Sequence, residues 1–119
     1  MMRSLLLILM VASVASAQAP ATSQRTAPAG NVQNGKKIFA SDGCYQCHGY
    51  AAQGGAAGAR LAPRPIAFEA FSKYVRHPSG QMPPYTAKVV SDQELADIYA
   101  FLMTIPPPPD VKSLQILNP

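Results

Sequence analysis

The sequence predicts an all-α fold, a single small helical domain. Three observations carry this. Apolar residues recur at helical spacing in three segments. Each segment has its own start or stop signal, an asparagine, a proline or a capping box. No segment of the expected folded part alternates polar and apolar residues as a half-exposed strand does. A length of 119 residues fits one domain.

The first helix is expected over residues 34–41. Asn34 caps it, Ile38 and Phe39 give it an apolar side, and Gly43 ends it. The second is expected over 66–76. Pro65 stands where a first-turn proline is tolerated, Phe68, Phe71 and Val75 share a face, and Pro78 blocks continuation. The third opens on Ser91-Asp92-Gln93-Glu94, a capping box in which the Ser91 hydroxyl and the Glu94 carboxylate satisfy free N–H groups. Leu95, Ile98, Leu102 and Ile105 repeat behind it, with Phe101 beside them. Pro106 starts a four-proline run that ends the helix.

The ends read differently from the middle. Residues 1–17 have a basic start at Arg3, an apolar run over 5–14 and the small-residue pattern Ala15-Ser16-Ala17, which is a signal peptide. The run is short of the roughly 20 residues a membrane span needs. An uncleaved anchor is the rival reading, and without it the mature chain has no transmembrane segment. Residues 18–31 are rich in Ala, Pro, Thr and Gln and are expected to be a flexible leader. Residues 32–105 are the expected folded domain. Residues 106–119 form a proline-rich C-terminal extension, which either folds back or docks on a partner through its apolar residues. The whole chain carries a formal charge of +4; loss of Arg3 with the signal leaves nine basic against six acidic residues. Export implies the periplasm, an oxidising compartment.

Cys44-Tyr45-Gln46-Cys47-His48 is a C-x-x-C-H pattern, the signature of covalent haem attachment. Two thiols at this spacing reach the two vinyl groups on one porphyrin edge. The histidine that follows is then held under the ring, where its imidazole coordinates iron. Three alternatives remain. A thioredoxin-like dithiol needs a βαβ setting. A zinc site would have to use Cys44, Cys47, His48 and the distant His77. A plain disulfide gives His48 no role. With haem c attached by two thioethers, a folded part of this size gains a large apolar surface to pack around.

The second iron ligand is expected to be Met82, in Gln81-Met82-Pro83-Pro84-Tyr85. The prolines forbid a helix and hold the loop extended. Met103 lies within the third helix and suits a packing or surface role. His77 or an open position is the alternative. A thioether favours ferrous iron and raises the potential.

These residues resemble the class I c-type cytochromes, the small bacterial monohaem kind, over residues 32–105. The attachment motif at Cys44, Cys47 and His48 and the Met82-Pro83-Pro84-Tyr85 loop carry the resemblance. Gly35 and Phe39 with Phe101 and Leu102 look like that family's crossing of first and last helices. The resemblance implies a cytochrome c-like domain packed around one haem, with a backbone carbonyl near Ala59 accepting from His48. The loop 49–58 is glycine-rich without a phosphate-loop pattern, and its plain role is a flexible connection. Arg76 either pairs with a haem propionate or is simply exposed. Tyr74 and Tyr85 either line the haem site or are ordinarily half-buried.

The functional expectation is a periplasmic monohaem cytochrome moving single electrons, as a soluble carrier or the small haem subunit of a dehydrogenase or respiratory complex. Its partners would be redox proteins: a dehydrogenase or quinol-oxidising complex as donor, an oxidase or another cytochrome as acceptor. Nucleic acid is not among them. No carboxylate pair, triad or phosphate loop points to an independent enzyme. The alternative is a haem sensor or catalytic haem protein with an open or weakly ligated distal site.

Overall fold

The computed structural model describes residues 27–117. The expected signal peptide and most of the leader fall outside these residues. Among the described residues there are four α-helices, two 3-10 turns and no strand. The helices are α1, Val32–Ser41, α2, Cys44–His48, α3, Phe68–Arg76, and α4, Asp92–Thr104. None is long and apolar enough to cross a membrane.

The first helix starts two residues before its expected position, and its cap is Asn31, not Asn34. The Asn31 side chain accepts from Asn34 N at 2.9 Å. Asn34 is diverted into a longer-range contact: its Nδ2 donates to Asp97 Oδ2 at 2.7 Å. The packed region reaches back past α1, because Gln93 Nε2 donates to Ala29 O and Ala27 packs against the core. The second expected helix begins at Phe68 rather than at residue 66. The capping box of α4 is present in full: Ser91 Oγ accepts from Glu94 N at 3.2 Å, and Glu94 Oε2 accepts from Ser91 N at 2.7 Å. These Ser91 bonds hold the Glu94 carboxyl below the usual range.

Helix α4 is the centre of the molecule. Leu95, Ala96, Asp97, Ile98, Tyr99, Phe101 and Leu102 are all buried. On one side α1 crosses it at Gly35. A Cβ there would overlap the Asp97 carbonyl and lie 2.7 Å from Ile98 N, so only glycine lets the two backbones meet. Phe39 and Phe101 close the seam with ring centroids 5.6 Å apart. On another side Tyr99 packs against Phe68 and Phe71 at 5.3 and 5.5 Å, and its hydroxyl donates to Ile66 O. Met103 is 60% exposed, in keeping with a surface role.

The loop 49–58 is not a loose connection. Gly54 N donates to His48 O at 2.7 Å, Gly55 N to Gly58 O at 2.9 Å, and both Leu61 N and Ala62 N converge on Ala52 O. Ala52 is fully buried. Positive φ at Gly49 and Gly54 lets the chain turn tightly enough to make these bonds. In the C-terminal extension the 3-10 turns Val111–Ser113 and Gln115–Leu117 lie against each other.

Candidate haem site

Cys44 and Cys47 are three residues apart on the short helix α2, hence on one face. Both are free thiols, Cys44 half-buried and Cys47 exposed. Burial, and next the charge of Asp42, push the Cys44 thiol up to about 11. Helix α2 is positioned by the Gly43 turn at φ +76° and ends at Gly49. At its C-terminal end Gly58 lies so close that a Cβ would sit 2.7 Å from Cys47 O.

His48 is oriented by the backbone of the following loop. Its Nδ1 lies 2.7 Å from Ala59 O. A carbonyl only accepts, so Nδ1 carries the proton and the Nε2 lone pair is left free. This is the arrangement of an imidazole prepared to bind a metal, fixed in tautomer by its other nitrogen.

A cavity of about 560 Å³ connects these residues with Met82. Its wall includes Cys44, Cys47, His48 and Met82, so all four sequence-predicted site residues share one cavity. Its inner surface is apolar, made by Phe39, Phe71, Leu95 and Ile98 among others. His77, the rival ligand, caps the end of α3 and is not part of this wall. Among the described residues no three His, Cys, Asp or Glu side chains form a metal cluster, so the zinc alternative has no donor set. A cavity of this size suits a cofactor. Two thiols at its rim, one pre-oriented imidazole and one thioether fit a haem bound covalently and ligated by nitrogen and sulfur.

Residues 30–102 match the family described as cytochrome C oxidase, cbb3-type, subunit III. The chain belongs to that family. It is a c-type cytochrome domain of the small monohaem kind, with an all-α fold. Its cofactor is covalently bound haem c with iron, and Cys44 and Cys47 fit the attachment motif. Such a domain serves haem-based electron transfer. No curated protein and no solved structure matches the chain.

One feature of the cytochrome site differs from expectation. Arg76 does not face the cavity. Its Nη1 donates to Tyr85 O at 2.7 Å and Val90 O at 2.6 Å, and its Nη2 pairs with Asp92 at 2.7 Å. The arginines in the cavity wall are Arg60 and Arg64, both exposed at its edge. They stand among apolar and proline residues in 59–66, and that contrast was the sequence signal for them. Tyr85 lines the cavity, and its hydroxyl donates to Asp42 O at 3.1 Å. Its phenol is pushed up, first by burial and then by the nearby Cys44.

Proposed function

We propose that this chain is a periplasmic single-electron carrier or haem subunit whose haem c is anchored at Cys44 and Cys47 and ligated by His48 and Met82. The observation that supports it best is the shared cavity, with His48 locked by Ala59 O and Met82 in the same wall. When bound, haem c supplies one-electron exchange between ferric and ferrous iron. The protein's own part is orientation and exclusion. The Ala59 carbonyl keeps the His48 ring in one tautomer and strengthens its basicity. Phe39, Phe71, Leu95 and Ile98 keep water from the inner wall, which favours the less charged ferrous state. The Met82 thioether favours the same state. Arg60 and Arg64 give the rim a positive charge that suits the carboxylates of a haem.

The family's description names an oxidase subunit, which supports an oxidase as the electron acceptor and a subunit role alongside the carrier one. The signal-peptide pattern over 1–17 supports export to the periplasm.

The test is Met82→Ala in haem-loaded protein. The ferrous wild type should keep its visible spectrum under carbon monoxide, while the variant changes at once. The variant's potential should fall by on the order of 0.1 V. Immediate carbon monoxide binding by the wild type would instead favour a sensor or catalytic haem with an open distal position.

A further inference from the structure

Met82 lies in a stretch that holds itself weakly. Gly80 and Gln81 form a turn, but among the described residues no hydrogen bond of good geometry is made by Gln81, Met82, Pro83 or Pro84. Two of the four have no N–H to offer. Just before them Gly80 is at φ +82° with open space around it. The position of the Met82 thioether therefore depends on what fixes the two ends of the stretch.

Both ends are fixed by the last turns of α3. On the near side the Tyr74 hydroxyl donates to Ser79 O at 2.9 Å. On the far side one residue, Tyr85, is held at three atoms. Its N–H donates to Val75 O at 3.1 Å, its carbonyl accepts from Arg76 Nη1 at 2.7 Å, and its hydroxyl donates to Asp42 O at 3.1 Å. The same Arg76 nitrogen also holds Val90 O, at the entry to α4. The Arg76 side chain is only 15% exposed, so these charge-assisted bonds are shielded from water. Asp92, its carboxylate partner, is 89% exposed and adds little.

The geometry points to Arg76 and Tyr85 as positioning residues that keep Met82 in the cavity and so keep small exogenous ligands off the iron. This rests on Met82 being the second axial ligand. Arg76 acts through the backbone of Tyr85, three residues from the sulfur. Lysine would keep its charge and lose the planar fork that serves two carbonyls and Asp92 together.

The experiment uses haem-loaded protein and titrates the ferric form with imidazole. Met82→Ala sets the affinity of an open position. Arg76→Gln should bind imidazole at least tenfold more tightly than wild type, equivalent to about 1.4 kcal/mol. It should also lose part of the far-red absorption that a thioether gives ferric haem. Arg76→Lys should recover less than half of that difference on a logarithmic scale. Asp92→Asn should change affinity by less than about twofold. If Arg76→Gln lowers the melting temperature but leaves imidazole affinity and the far-red band as in wild type, Arg76 is only a general staple and the inference is wrong. If Met82→Ala itself binds imidazole no better than wild type, the axial assignment is what fails. Should Arg76→Gln not accumulate with haem, Tyr85→Phe decides, since it removes one hydroxyl alone. A threefold tightening supports the inference and an unchanged affinity overturns it.

Discussion

Replacing Gly35 by alanine separates two effects of opposite sign. In an ordinary helix interior, alanine is favoured over glycine by about 1 kcal/mol. At Gly35 the added methyl would overlap the Asp97 carbonyl and lie 2.7 Å from Ile98 N, where ordinary contact begins at 3.4 Å. Both obstacles are backbone, so no side chain can swing away. The helices must part by on the order of 1 Å. A gap of about 0.5–1 Å forfeits a quarter to a half of a dispersion contact. Ile38, Phe39, Ile98, Phe101 and Leu102 are buried beside this crossing. At about 1.5–3 kcal/mol each, they represent roughly 10 kcal/mol of burial. Losing a quarter to a half of that, less the propensity gain, leaves a net destabilisation of about 2–4 kcal/mol. For a domain of this size the melting temperature should fall by about 10–25 °C. The assay is a far-UV circular dichroism melt of haem-loaded protein. Gly55→Ala is the control, because the nearest atom to its Cβ is 4.0 Å away. A Gly35→Ala melting temperature equal to or above wild type would refute the reasoning, since it would mean propensity outweighs the crossing.

Two further predictions concern the same frame. Asp97 is 3% exposed and accepts from Asn31 N, Asn34 Nδ2 and Gln93 Nε2 at 2.7, 2.7 and 2.9 Å. The Asn31 N–H, and next the Asn34 amide, hold its carboxyl below the ordinary 3.8. Its stabilising contribution is thus complete above that value and is lost as pH falls through the lower folded one. Asp97→Ala should cost about 2–4 kcal/mol at neutral pH and flatten the fall in melting temperature below pH 4. A parallel fall in variant and wild type from pH 6 to 2.5 would remove Asp97 from the linkage. Gly58→Ala should disturb attachment rather than packing, since its Cβ would lie 3.1 Å from Cys47 Cβ. The fraction of chains carrying haem on both cysteines should fall several-fold, as measured by intact mass, and full loading would count against the close approach.

What was legible in the sequence was local. The capping box at Ser91 and Glu94 involves atoms three residues apart, and the attachment motif spans five. Both appear as read. Helix α2 went unread because five residues are too few to show a period. The misread cap has a tertiary cause. Asn31 and Asn34 are equally able to cap, and the choice is made by Asp97, which takes the Asn34 side chain from 63 residues away. Arg76 was ambiguous for the same reason. Its partners are the backbone carbonyls of Tyr85 and Val90, and a carbonyl has no residue letter to recognise. The loop 49–58 looked flexible because glycine marks both loose chain and tight turns. Only the bonds to His48 O and Ala52 O tell the two apart.

The crossing of α1 on α4 also governs the order of events during synthesis. It joins the two ends of the domain, and closing a loop of that length costs about 4 kcal/mol of chain entropy before any contact offsets it. Gly35, Ile38 and Phe39 lack α4, the main partner of their helix, until residue 104 has been made. The segment with Cys44, Cys47 and His48 is complete much earlier. A nascent chain therefore presents its attachment motif on an open backbone, and the domain shuts only once its last helix arrives.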